Sequence, residues 1–215
     1  MINELQQVPL NSVPTNPAVV NQNGGTNVHI NNVDNLNQTV NYNVTYIQST
    51  SDGKRKSVTQ KINTDYYNIF VMGGETFEHN HFLVPKNRAL TKGSISDDLY
   101  ERLASLTPEA IEEIKTFPSL FASENTGNWG NTDPEQMTIY GLVTEIRVQD
   151  NGIMIYYQYL NYIPQQKINE FSFELGLGNP RAITVLNKTQ WTIKKINLIE
   201  ALTDIGISVL APTII

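Results

Sequence analysis

The sequence predicts an α+β fold: a mainly antiparallel sheet or small barrel with flanking helices, preceded by an Asn-rich β-extension. Three observations predict it. Strand and helix signals run in blocks (strands, helices, strands, helix, strand, helix) rather than as βα repeats. Two apolar, β-branched runs flank Asn151-Gly152, the dipeptide of a tight hairpin. Residues 36–46 alternate apolar and amide or hydroxyl side chains with period two.

Residues 1–20 are rich in Pro, Asn and Val without a period, and read as an extended arm. The Asn-rich ribbon follows. Leu36, Val40, Tyr42, Val44 and Tyr46 fall on one face, and Asn37, Asn41 and Asn43 on the other, while Val28 and Ile30 extend the apolar face upstream. A lone strand satisfies neither its backbone nor its apolar face. In-register copies stack Asn side chains as amide ladders. These ten residues are therefore expected to form an oligomerisation surface between sister chains. Residues 48–61, QSTSDGKRKSVTQK, are polar and turn-rich, and read as a linker or exposed loop. The predicted organisation is an arm over 1–47, a linker over 48–64 and a globular domain over 65–215.

Within that domain, residues 66–72 read as a buried strand ended by Gly73-Gly74, and 82–84 as its partner. Ser96, followed by Asp97 and Asp98, opens a helix with Leu99, Leu103 and Leu106 on one face. Thr107-Pro108-Glu109 opens a second, with Ile111 and Ile114 inward. Phe117-Pro118 ends it, and 119–124 read as extended. Residues 137–148 and 153–160 form the hairpin about Asn151-Gly152. Pro164 opens a helix with Ile168, Phe171 and Leu175 inward, closed by Gly176 or Gly178. Residues 191–193 read as a short strand, Asn197 caps a last helix ended by Gly206, and 207–210 read as a final strand.

The net charge of −6 disfavours non-specific binding to phosphate backbones. The absence of cysteine excludes disulfides, thiolate metal sites and cysteine nucleophiles. It fits a reducing cytoplasm. The start, MINELQQVPL, lacks the basic and apolar regions of a secretory leader, and no stretch approaches the ~18 apolar residues of a membrane helix.

Candidate chemistry is sparse. His79 and His81 sit two apart, so on a strand both imidazoles share a face, with Glu75 and Glu78 near enough to add oxygen ligands; a metal-dependent hydrolase would use them. The surrounding GGETFEHNH reads equally as an exposed loop. No nucleophile elbow and no phosphate loop occurs. Asp133-Pro134-Glu135 reads as a turn. Tyr157 and Tyr159, with Arg147 on the opposing strand, form a candidate platform for stacking a nucleotide or other small ligand, although neighbouring Tyr156 and Tyr157 must face opposite sides. Trp191 reads as a core residue beside solvated Lys194 and Lys195.

The stretch Asn23-Gly24-Gly25-Thr26-Asn27 through Asn31-Asn32 resembles N-terminal segments of bacterial antiviral effectors and phage-related proteins, which precede an effector domain and help assemble it. The resemblance covers residues 20–46 and implies a homo-oligomeric, cytoplasmic role in bacterial or phage defence. The remainder resembles uncharacterised bacterial proteins and implies no activity. The expected function is a non-enzymatic assembly protein without a cofactor, whose partners are copies of itself and a further protein. A ligand-sensing module and a metal-dependent hydrolase are the alternatives.

Overall fold

The computed structural model describes residues 42–49, 54–127, 129–179, 181–209 and 213–214. Apart from Ile214 these belong to one compact unit, Asn41–Thr213. Val28, Ile30, Leu36, Asn37, Val40 and Asn41 of the expected ribbon lie outside the described residues.

The architecture is α+β. A six-stranded sheet forms from β3 (Tyr67–Met72), β4 (His81–Val84), β5 (Pro118–Ser123), β6 (Met137–Gln149), β7 (Gly152–Pro164) and β8 (Gln190–Lys194), in the order β4-β7-β6-β5-β3-β8. Every adjacent pair is antiparallel except β3 with β5. A smaller sheet holds β1 (Tyr42–Ser49), β2 (Arg55–Ile62) and β9 (Thr213–Ile214) in the order β2-β1-β9.

The large sheet curls until its margins meet. Phe70 on β3 and Phe82 on β4 lie four strand steps apart, roughly 19 Å in a flat sheet. Their ring centroids are 5.5 Å apart. The segment after β4 completes the curl, with Ala89 bridging to Trp191 on β8 and the Leu90 amide donating to the Trp191 carbonyl at 2.9 Å. Register shifts in the β6–β7 ladder, at Tyr140/Gly141 and Val143/Glu145, supply the bends.

Inside the curl, Phe70, Phe82, Phe121, Ile139, Val143, Ile155, Tyr157 and Trp191 pack together, joined by Leu99 and Leu103 of α1 (Asp97–Leu103) and Ile114 of α2 (Pro108–Lys115). The outer face carries a second core. There Tyr67, Ile69, Val71, Leu120 and Tyr140 meet Ile168 of α3 (Gln165–Glu170) and Leu198 and Leu202 of α4 (Leu198–Asp204). With apolar cover on both faces, β3 is buried at all six positions, as a continuous apolar run requires. The helix starts follow the sequence: Thr107 accepts from the Ala110 amide at 3.3 Å with Pro108 at the first helical position, and Asn197 accepts from the Glu200 amide at 3.3 Å. Ser96 differs. Its hydroxyl caps no backbone group, and its hydrogen bond instead holds the Asp98 carboxyl below the ordinary aspartate range.

Four expectations about elements are corrected. Residues 55–62, read as linker, form β2, paired in antiparallel register with β1 from Tyr42↔Ile62 to Ser49↔Arg55. Strand β4 pairs with β7 rather than with β3. The hairpin turn falls at Asp150-Asn151, because Gln149 pairs with Gly152, and neither turn residue has positive φ. Gly152 is needed for close approach: a Cβ there would lie 2.8 Å from the Val84 carbonyl oxygen and 2.9 Å from Leu83 Cδ1. Residues 207–209 form no strand. Among the described residues, no helix is long and apolar enough to cross a membrane.

Candidate functional site

The alternation of β7 sorts the tyrosines. Tyr157 points inside the curl and is 5% exposed. Its ring lies 4.4 Å from Phe121, and its hydroxyl meets the carbonyls of Phe77 (3.1 Å) and His79 (2.8 Å). Burial, then the nearby Glu75 carboxylate, pushes its ionisation well above the ordinary tyrosine range. The predicted stacking platform of Tyr157, Tyr159 and Arg147 is thus divided: Tyr157 is an internal packing residue, and Arg147 belongs to the outer face.

On that outer face a row crosses three strands. Arg147 of β6 lies 4.7 Å over the Tyr156 ring and donates two hydrogen bonds to the Glu145 carboxylate, at 2.6 and 2.9 Å, which raises its already high pKa. His81 of β4 stacks on Tyr156 at 5.4 Å and 29°. His79 stacks on His81 at 5.9 Å and 24°. These are cross-strand neighbours, with His81 and Glu145 directly opposite Tyr156. Tyr156 therefore has an internal partner for its ring on each neighbouring strand.

The His79–His81 geometry also bears on the metal expectation. Imidazole lone pairs lie in the ring plane, so two rings stacked nearly parallel direct them side by side rather than toward one point. A zinc ion needs nitrogen at about 2.0–2.1 Å from each ligand. Among the described residues, no group of three or more His, Cys, Asp or Glu is placed to hold a metal ion.

Tyr159 and Tyr162 remain. They are 55% and 57% exposed, with rings 5.8 Å apart. They pair with Gly141 and Ile139 of β6, and they stand where β7 has lost its other neighbour. Strand β4 pairs only with residues 153–156 of β7, and one further bond follows, from the Tyr157 amide to the Asn80 carbonyl at 2.9 Å. From 158 to 163, no strand among the described residues pairs with that margin of β7. The segment Gln158-Tyr-Leu-Asn-Tyr-Ile163 carries no charge and no proline, the usual guards of an exposed strand. Leu160 is skipped in the ladder to β6, so a bulge kinks the margin without closing it. The Tyr159 carbonyl is capped by its neighbour's side chain, from Gln158 Nε2 at 3.0 Å.

Val44 and Tyr46, expected to face sister chains, pack within their own chain against Ile62, Leu142, Leu160 and Ile199. Tyr46 Oη donates to Gln60 Oε1 at 3.2 Å, and Gln60 Nε2 donates on to the carbonyls of Val143 (3.2 Å) and Lys115. Asn43, on the other face, is half-buried.

The remaining polar cluster is internally complete. Asn169 and Asn125 exchange hydrogen bonds at 2.9 Å, Gln165 Nε2 donates to Asn125 Oδ1 at 2.9 Å and to the Ser123 carbonyl at 2.8 Å, and Gln165 and Asn169 are both fully buried. Glu135 and Asp133 form the expected turn, with the Glu135 amide on Asp133 Oδ1 at 2.9 Å. Among the described residues, no buried side-chain nitrogen or oxygen lacks a partner. The sequence offered two signals that were missed: the lone Phe77 in a polar loop, and the shortness of the 82–84 run beside a long hairpin.

No protein-family model, no curated protein and no solved structure matches the chain.

Proposed function

We propose that this protein is a non-enzymatic assembly module that joins copies of itself by strand addition at the unpaired margin of β7. The observation carrying this reading is that margin: residues 158–163, uncharged, bearing the exposed pair Tyr159 and Tyr162, and without a strand partner among the described residues. Unpaired main-chain groups on a strand edge are a template for another strand. Tyrosine adds large contact area at low entropic cost and is enriched in interface cores. An antiparallel pairing of two such margins is self-complementary, as a two-fold dimer requires. The alternation of apolar and amide or hydroxyl residues over 36–46, a strand pattern in the sequence, supports self-association as well.

The test is light scattering of the full chain at roughly 100 µM, a concentration that registers even micromolar association. The wild type should run as a multimer. Tyr159→Lys and Tyr162→Lys, each of which guards the margin with charge, should each lower the mass. Glu109→Gln, exposed on α2, should not. A monomeric wild type refutes the assembly reading. A multimer that survives both β7 changes but dissociates with Val40→Asp moves the contact to the ribbon.

A further inference from the structure

The loop joining β3 to β4, residues 73–80, exposes Thr76, Glu78, His79 and Asn80 and buries one side chain, Phe77. That residue holds φ = +55°, a left-handed conformation that bulky L-residues avoid. Its ring seats in a box of aromatic walls. It meets Phe82 edge-to-face at 5.3 Å and 86°, Tyr157 edge-to-face at 6.3 Å and 86°, and Phe121 at 6.4 Å. Those three walls stand on β4, β7 and β5 and are themselves braced, Phe82 and Phe121 by Phe70 and Tyr157 by Phe121. The seat is therefore built by strands, and its occupant is delivered by a loop.

The ends of the loop are tied to the sheet, by the Gly73 amide on Thr189 Oγ1 at 2.8 Å and the Tyr157 amide on the Asn80 carbonyl at 2.9 Å; between them few bonds hold it down. The Tyr157 hydroxyl faces two carbonyls, those of Phe77 and His79, and has one proton to give. Ser123 Oγ donates to the Glu75 carbonyl at 2.9 Å, and the Phe77 amide donates to Glu75 Oε1 at 3.1 Å within the loop itself. At its origin stands Gly73-Gly74, with Gly74 at φ = +72° and open space where its Cβ would be.

We infer that residues 73–80 are a lid, that Phe77 occupies its own ligand's seat, and that the ligand is a single uncharged aromatic ring of about phenyl size, presented by a small molecule or by a side chain of another protein. The walls select that chemistry. Edge-to-face geometry on two rings favours a π system over a saturated ring of equal volume, and the carboxylate beside the box, Glu75, belongs to the loop itself and leaves with it. Swinging the strained Phe77 outward relaxes its backbone while the incoming ring restores the lost contacts, so the exchange is close to balanced. Binding is then reduced by the fraction of closed lid. Ring binding and self-association are separable by variant: Tyr157→Phe and Ser123→Ala act on bonds to the loop, and Tyr159→Lys and Tyr162→Lys on the free margin of β7.

The experiment titrates the full-length protein with toluene and, separately, with N-acetyl-phenylalaninamide, following the Phe77 ring and the amides of 74–80 by NMR. Methylcyclohexane is the shape control. The wild type should bind an aromatic probe saturably, with the Phe77 signals moving to solvent-exposed values, and should not bind methylcyclohexane comparably. Tyr157→Phe keeps the wall and removes the latch; it should tighten the probe about tenfold, the effect of one lost hydrogen bond on the closed state. Ser123→Ala should act in the same direction, and serves if Tyr157→Phe folds poorly. Preference for toluene identifies a small-molecule ligand, and equal or better binding of the capped phenylalanine identifies a partner's side chain. The inference is overturned if neither the wild type nor the latch variants bind either probe, even where Phe77→Ala does, since that cavity is made by truncation. It is equally overturned if binding leaves the Phe77 signals unmoved.

Discussion

Replacing Asn68 by Ala should destabilise the protein through one orphaned group, and the structure says which. Asn68 lies on β3, fully buried, and faces the interior of the curl. Its Nδ2 donates to Ser119 Oγ at 3.1 Å and to the Ile114 carbonyl at 3.2 Å, with a longer approach to the Phe117 carbonyl at 3.5 Å; its Oδ1 accepts from Trp191 Nε1 at 3.2 Å. The carbonyls survive its loss, because Ile114 still accepts from the Phe117 amide at 3.0 Å and Phe117 from Ser119 Oγ at 3.1 Å. The indole N–H of Trp191, with the residue fully buried, has no alternative acceptor among these contacts. Leaving one buried donor unpaired costs about 1–3 kcal/mol. With the small packing loss of the side chain, the total should be about 2–4 kcal/mol. Urea unfolding followed by far-ultraviolet circular dichroism measures it in every variant, since a fluorescence signal would rest on Trp191, the buried tryptophan that the cycle removes, the other, Trp129, being 70% exposed. The decisive quantity is a double-mutant cycle with Trp191→Phe, which removes the donor. Asn68→Ala should then cost less by about 1–2 kcal/mol. A coupling below about 0.5 kcal/mol would refute the assignment of the penalty to the indole.

Other consequences follow from particular contacts. Gly141→Ala should cost about 1–3 kcal/mol, because a Cβ there collides with the Gln158 carbonyl on the neighbouring strand; thermal unfolding reads it. Thr107→Ala removes the cap of α2 and should lower stability by about 1 kcal/mol by the same assay, with Thr107→Ser near neutral. Tyr67, fully buried with its hydroxyl on the Leu175 carbonyl at 2.5 Å, has its ionisation raised by burial. Above roughly pH 10 the unfolded chain releases this proton while the folded chain keeps it, so the folded state binds more protons and stability falls with rising pH, by up to about 1.4 kcal/mol per unit. Below pH 10 both states hold the proton and no dependence arises. Tyr67→Phe should flatten the urea midpoint between roughly pH 10 and 12 relative to wild type; an unchanged slope would argue that Tyr67 does not carry it.

What was legible in the sequence is what is local. The β6–β7 hairpin showed itself through period two and a turn dipeptide, and α2 through Thr107-Pro108. Strand β2 did not. Its packed face carries Val58, Gln60 and Ile62, and Gln60 breaks the apolar pattern because its amide satisfies two carbonyls of neighbouring elements. The partner of β4 was equally hidden: pairing with β7 spans about seventy residues, and no local signal encodes it. Turn chemistry misled at Gly152, where glycine serves strand-to-strand approach and the turn sits one residue earlier. The histidine pair was found as a spacing, but stacking decided its geometry, and stacking depends on Tyr156 from a distant strand.

The brevity of β4 ties the two proposed sites together. It has four residues against thirteen in β7, so it covers one end of its neighbour only. The chain that would have lengthened β4 is instead the loop 73–80, which turns inward to seat Phe77. Tyr157 is the first residue of β7 past β4, and it takes the place of the missing strand twice, with its amide on Asn80 and its hydroxyl on the loop carbonyls. Beyond it no strand among the described residues pairs with the margin, and Tyr159 and Tyr162 are exposed there. A longer β4 would close the margin and remove the loop at once. The free edge and the lid are thus two results of one topological choice, and they meet at a single tyrosine.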